Sequence, residues 1–222
     1  DRNYINKCKP LPLGSSITSK GVNFSLIATN AEYIEILLFE KEDAVLPKRI
    51  FKLDPSHNTG PYWHAEISNL KEGCIYAFRI KQKNNGINNN YDKKVLIDPC
   101  SRGITGWSIY KRENGLRKHD NSDSCLKSVV CDRKLFNFRD YPRPNYSWEE
   151  TIIYELHIKA FTKSSNEKES CFKKFLRKIP YLKELGITTI ELLPIFSFDP
   201  NDAPNGLDNF CGYSPINWFT PH

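Results

Sequence analysis

Methionine is absent from all 222 residues, and the chain starts at Asp1. A reading frame normally opens with methionine, so the N-terminus is expected to be trimmed or incomplete. The start does not read as a signal peptide, and no apolar run approaches the roughly 20 residues that span a bilayer. No membrane partner is expected. The seven cysteines are odd in number and scattered, without a Cys-x-x-Cys pair or a Cys/His cluster at zinc-finger spacing. The closest pair, Cys125 and Cys131, reads as small apolar loop side chains. No metal, redox pair or cofactor is expected, and the simplest compartment is soluble and reducing, the cytoplasm. A one-signed charge block is missing too. Net charge is +6, but acid and base are interspersed. The densest basic stretch, Lys173-Lys174 with Arg177-Lys178, alternates with Phe and Leu at helical spacing and reads as a solvated helix face, so nucleic acid is not expected.

Aromatic residues are plentiful: 13 Phe, 11 Tyr and 4 Trp in a chain that is 39% hydrophobic fill a core and exclude disorder. Residues 10–106 read as all-β. Val22 to Leu26, the start of Ile34 to Phe39, Trp63 to Ile67 and Ile75 to Ile80 alternate apolar and polar residues, the pattern of strands with one buried face. Turn chemistry separates them at Lys20-Gly21, Asn58-Thr59-Gly60-Pro61, Lys71-Glu72-Gly73 and the Asn-rich run Asn84 to Asn90. Short strands with regular turns imply an immunoglobulin-like sandwich. Residues 107–147 are polar, charged and aperiodic, and end in Tyr141-Pro142-Arg143-Pro144. They read as an interdomain connection, packed rather than loose because Trp107, Phe136 and Phe138 need cover.

From Trp148 the pattern changes. Thr151 to Ile158 is a strand whose near-continuous apolar start suits burial on both faces. Phe172, Phe175, Leu176, Ile179, Leu182 and Leu185 repeat at helical spacing. Pro180 kinks or restarts that helix, and Gly186 stands where a C-terminal cap belongs. Ile187 to Leu193 is a second buried strand. Strand, helix and strand make one βαβ crossover with parallel strands. A (β/α)₈ barrel needs about 250 residues, so residues 148–222 supply only its beginning.

These residues resemble the isoamylase-type glycogen and starch debranching enzymes of the α-amylase superfamily, glycoside hydrolase family 13. Trp148 to Thr162 is similar to that family's first barrel strand. Tyr181-Leu182-Lys183-Glu184-Leu185-Gly186-Ile187-Thr188 with Ile190 to Pro194 is similar to its first helix and second strand, and Gly212-Tyr213-Ser214-Pro215-Ile216-Asn217-Trp218-Phe219 to the segment after it. Upstream, Pro10-Leu11-Pro12-Leu13-Gly14 with Gly21-Val22-Asn23-Phe24 resembles the start of its N-terminal starch-binding-type β-sandwich, of the carbohydrate-binding module 48 kind, and Ile97-Asp98-Pro99 its end. Five pieces in register cover nearly the whole chain. The implied fold class is multi-domain: an all-β immunoglobulin-like sandwich (10–106), the connection (107–147), and the first strands of a (β/α)₈ TIM barrel (148–222), incomplete in this chain.

The resemblance implies cleavage of α-1,6-glucosidic branch linkages in glycogen or amylopectin by a retaining mechanism, in which a carboxylate nucleophile and a carboxylic acid lie about 5 Å apart. Its carboxylates belong to later barrel strands, so no catalytic residue is assigned here and this fragment alone is expected to be inactive. Glu155, Glu191, Asp199 and Asp202 are read as structural. Two site residues follow from the resemblance: Tyr213, to stack on the glucose at the cleavage point, and Asn217, either to bond a sugar hydroxyl or to tie the loop. His157 is expected to pack in the core. Among sandwich aromatics, Tyr62, Trp63 and Tyr76 are open to glucan, although alternation puts Trp63 with Ile67 on one face and favours core. The family usually places two aromatics before Gly212-Tyr213; here they are Phe210 and Cys211, which removes about 100 Å² of aromatic contact surface. A non-catalytic glucan-binding relative and a 1,4-α-glucan branching enzyme stay open as alternatives. Homo- and hetero-oligomers both stay open, as does the plastid stroma if the source is photosynthetic.

Overall fold

The computed structural model describes residues 4–83, 92–116, 120–132, 137–163 and 169–222; the Asn84 to Asn90 turn and Phe136 lie outside them. Two compact units emerge. One comprises Asp1–Leu135 with Asn217–Pro221, the other Phe136–Ile216 with His222.

The first unit carries β1 (Ile5–Asn6), β2 (Gly14–Ile17), β3 (Gly21–Ile27), β4 (Ala31–Phe39), β5 (Arg49–Leu53), β6 (Asn58–Thr59), β7 (Tyr62–Ser68), β8 (Ile75–Gln82), β9 (Gly103–Thr105), the short helix α1 (Arg112–Leu116) and β10 (Lys127–Val129). They form two sheets, β1-β7-β3-β2 with β6 on β7, and β5-β4-β8-β10-β9. Period-two patterning explains the core between the sheets. Val22, Phe24 and Leu26 of β3 and Trp63, Ala65 and Ile67 of β7 meet Ile34, Ile36 and Leu38 of β4 and Tyr76 and Phe78 of β8. Trp63 and Tyr76 are buried in this core, so neither offers a face to glucan. The Trp63 indole N–H donates to the Ala28 carbonyl at 2.9 Å. The Tyr76 hydroxyl donates to Asp98 Oδ2 at 2.6 Å, and burial, then the Asp98 charge, push its pKa well up.

The segment read as a connection does more than connect. Its β10 extends the second sheet between β8 and β9, with Ser128 opposite Tyr76. Upstream residues and this segment also cover the sheet's outer face, where Leu37, Phe39, Ala77, Val95 and Cys125 form a second cluster. This explains why alternation fails at Leu37-Leu38-Phe39: that stretch of β4 is buried on both faces. Asn121 fastens the cover by accepting from Val95 N–H (2.8 Å) and donating to Val95 C=O (3.1 Å), as a neighbouring strand would. Phe138, expected to be covered, is 77% exposed.

The outer face of the first sheet is polar yet buried, because residues 9–10 cross it: Asn23 Nδ2 donates to Lys9 C=O and Ser25 Oγ to Pro10 C=O. His64 lies on the same face, 1% exposed, with Nε2 2.9 Å from Thr59 Oγ1. Burial, then the charges of Lys7 and His57, lower its pKa. The folded state therefore keeps His64 neutral at a pH where the unfolded chain, with an ordinary value near about 6.5, takes up a proton. Its contribution is full above about pH 6.5 and is lost as pH falls towards the depressed folded value. The urea midpoint should drop over that window in the native chain and drop less in His64→Gln; parallel curves would assign the acid sensitivity to another group.

The second unit holds β11 (Ile153–Leu156), helices α2 (Ile158–Phe161), α3 (Cys171–Leu176) and α4 (Ile179–Glu184), then β12 (Thr189–Leu192) and β13 (Phe196–Phe198); β14 (Pro215–Pro221) follows. Strands β11 and β12 pair in parallel, Ile153 opposite Thr189 through Leu156 opposite Leu192. Pro180 restarts the helix: it occupies the first turn of α4, where its missing N–H costs nothing. Gly186, at φ +89°, closes α4. Its N–H donates to Lys183 C=O, and Ile187 N–H to Leu182 C=O, both at 3.0 Å, a Schellman cap. Leu156, Ile158, Phe175 and Leu182 form the small core of this unit. Ile152 and Ile153, expected to be buried, are 52% and 53% exposed, and Leu176 and Leu185 also stand out to solvent. No helix among the described residues is long and apolar enough to cross a membrane.

Candidate functional site

A cleft of about 270 Å³ opens beyond the C-terminal ends of β11 and β12, lined by His157, Phe172, Ile195, Phe198, Phe210 and His222 among others. His157 follows β11 directly. Its Nδ1 accepts the Ala160 N–H at 3.1 Å, capping α2, and its Nε2 lies 2.9 Å from Phe210 C=O. One nitrogen accepts and the other faces an acceptor, an arrangement that puts the ring proton on Nε2. It stacks on Phe210, centroids 4.6 Å apart at 14°. His157, expected in the core, is instead a half-buried wall of the cleft. A second stacked pair, Phe198 and His222, lies 4.0 Å apart at 27°. Burial, then the Lys159 charge, lower the His222 pKa, which favours its neutral ring.

The loop that carries Tyr213 is shaped by its own residues. Asn209 accepts the Gly212 N–H at 3.1 Å and donates to the Tyr213 carbonyl at 2.7 Å. Gly212 sits at φ +78°, and a Cβ there would stand 3.1 Å from the Phe198 ring and from Pro194 C=O, so the loop descends onto Phe198 only with glycine. Tyr213 is 58% exposed, an aromatic surface open to a ligand. Neither the His157–Phe210 nor the Phe198–His222 pair carries a local sequence signal; the first joins residues 53 apart.

Asn217 is elsewhere. It is 1% exposed and belongs to the first unit. Its Nδ2 donates to Asp98 C=O (3.0 Å), Pro99 C=O (3.3 Å) and Ser101 Oγ (3.2 Å), and its Oδ1 accepts from the N–H groups of Phe219 (2.8 Å) and Thr220 (3.0 Å). Those five bonds occupy the carboxamide and leave no face for a sugar hydroxyl, so its role is to tie the chain.

Glu155 and Glu191 are opposite each other across the parallel pair, both exposed. Asp199 is buried and accepts the Asn201 N–H at 2.9 Å. Among the described residues no three His, Cys, Asp or Glu side chains converge as metal ligands would.

Comparison with known proteins adds three findings. Residues 12–101 match carbohydrate-binding module 48, described as the isoamylase N-terminal domain. The chain is 34% identical over 229 residues to a glycogen debranching enzyme of Enterobacter sp. (strain 638), covering 95% of this chain and 34% of that protein. It is 28% identical to one from Pectobacterium carotovorum, covering 94% and 33%. The chain thus spans about a third of the length of the curated relatives it matches. Among solved structures, the glycogen-degrading pneumococcal virulence factor SpuA superposes with a TM-score of 0.71 at 21% identity, over 97% of this chain and 24% of that one. A group B Streptococcus pullulanase in complex with maltotetraose gives 0.70 at 22%, over 95% and 28%. At these identities the structures establish likeness of fold.

Proposed function

We propose that this chain, whose residues 12–101 are a carbohydrate-binding module 48 (isoamylase N-terminal) domain, is the N-terminal part of a debranching glycosyl hydrolase that cleaves α-1,6 linkages of glycogen or amylopectin with retention. The observation that carries the reading is similarity to glycogen debranching enzymes over 95% of the chain. Residues 10–106 are then the module, 107–147 the segment that adds β10 to it and leads on, and 148–222 the first strands of a (β/α)₈ barrel. Support for the barrel comes from the parallel β11–β12 pair with helices between and from a cleft at the C-terminal strand ends, where such barrels place their sites. The carboxylate nucleophile and acid belong to later strands, so the chain's own contribution is binding. Tyr213 offers a ring to the apolar C–H face of a glucose unit. Seven free cysteines, one of them exposed, support a reducing compartment, the cytoplasm or a plastid stroma.

The test is the longer protein acting on amylopectin, scored by release of reducing ends and loss of α-1,6 branches. Branch loss is expected; survival of the branches sinks the hydrolase. In that protein Tyr213→Ala should lower kcat/KM about tenfold, the scale of one lost stacking contact of about 1.5 kcal/mol. An unchanged value would make Tyr213 a loop residue. Cys211 is exposed, and since the resembled family usually has an aromatic ring there, it favours one second reading, a non-catalytic glucan binder. That reading expects glucan retention with no branch loss.

A further inference from the structure

Next to the cleft, and sharing Lys159, Cys171 and Phe210 with it, is a larger cavity of about 650 Å³. Three lysines, Lys159, Lys163 and Lys174, line it together with Thr162 and Phe210. Among the described residues one carboxylate lines it, Glu169, and Arg177 holds that with both guanidinium nitrogens, Nη1 at 2.6 Å from Oε1 and Nη2 on Oε2. Among the described residues no carboxylate pairs with any of the three lysines. Lys159 lies over the Phe210 ring, 5.6 Å from its centroid. Three like charges around one hollow repel one another. An anion of charge near −2 placed among them reverses that repulsion, and a phosphate monoester carries about −1.5 to −2 at neutral pH. Lysine recognises phosphate as a point charge without the planar geometry that carboxylate and arginine share. The volume falls within the roughly 300–1,000 Å³ of small-ligand sites, and the shared Phe210 ring makes the cavity continuous with the aromatic cleft.

We propose that this lysine-lined cavity binds the phosphate monoester of a phosphorylated glucose unit, beside the cleft that takes the neutral sugar. The proposal rests on the glucan reading of that cleft and extends its substrate class to phosphorylated glucan. The same chemistry is offered by an ester on the polymer and by a free sugar phosphate, and the experiment separates them. The chain is titrated at low ionic strength with glucose 6-phosphate, inorganic phosphate, glucose and maltodextrin, and with a phosphorylated dextrin before and after phosphatase. Glucose 6-phosphate should bind at least tenfold more tightly than glucose. Lys159→Gln with Lys174→Gln should weaken it at least tenfold, while Lys20→Gln, an exposed lysine of the first unit, should not; added salt should weaken it as well. Preference for the phosphorylated dextrin over its phosphatase-treated form, by tenfold or more, identifies the polymer ester. Equal dextrin affinities, with tight glucose 6-phosphate binding, identify the free sugar phosphate. Glucose 6-phosphate binding no better than glucose, or indifferent to the double substitution, overturns the proposal. Lysine-dependent glucose 6-phosphate binding without maltodextrin binding upholds the phosphate site and sinks the glucan reading alone; maltodextrin binding with no phosphate preference does the reverse.

Discussion

Asn217→Asp is expected to destabilise the first unit by about 3–5 kcal/mol and to free residues 217–221 from it. The native carboxamide is both donor and acceptor. Its oxygen takes two backbone N–H groups and its nitrogen faces two carbonyls and a hydroxyl, all in a setting only 1% exposed. Aspartate preserves the shape and the accepting oxygen. It also puts a negative oxygen 3.0 Å from Asp98 C=O, close to a residue that is itself a fully buried carboxylate. The Thr220 hydroxyl, which donates to Ser101 C=O at 3.0 Å, keeps its own bond to the first unit. Urea unfolding measures the loss, and hydrogen exchange at the amides of Phe219 and Thr220 locates it. Asn217→Ala, which removes the bonds without adding charge, should cost less. If the aspartate variant unfolds at the native midpoint, the carboxamide is not what ties the chain.

Phe24→Ala should cost about 3–5 kcal/mol, a large part of the 5–15 kcal/mol typical of a whole domain. Phe24 lies on β3, between β2 and β7, and is 1% exposed. Its ring meets Tyr76 edge to face, centroids 4.8 Å apart at 65°, and Tyr76 in turn meets Phe78 at 5.8 Å. Removing the first ring leaves a void beside a tyrosine whose hydroxyl is committed to Asp98, so the core cannot collapse without breaking that bond. Phe24→Leu fills most of the void and should cost below about 1.5 kcal/mol. Equal urea midpoints for the two variants would show that the site relaxes freely.

The sandwich core was readable because its strands alternate: the positions that period two assigns inward on β3 and β7 are the ones that meet the other sheet. β9 and β10 escaped because three residues each are too few to show a period. β4 misled at its end because cover from distant residues buries Leu37 as well as Leu38, a tertiary effect no local pattern encodes. Pro180 and Gly186 could be read in advance because both act through their own backbones. The site was legible only in part. Tyr213 could be placed by resemblance, but the pairing of His157 with Phe210 arises from folding between distant segments, and so does the lysine cavity. Asn217 shows the limit most clearly: an asparagine in a loop has the same one-letter code whether it faces a sugar or, as here, a backbone carbonyl 119 residues away.

The return of Asn217–Pro221 to the first unit also sets a timetable for synthesis. The two sheets are complete once β10 has left the ribosome. The last piece of that same unit is made about 80 residues later, after Phe136–Ile216. At about 5–20 residues per second the nascent sandwich waits on the order of 4–16 seconds with Asp98 C=O, Pro99 C=O and the Ser101 hydroxyl unclaimed by Asn217.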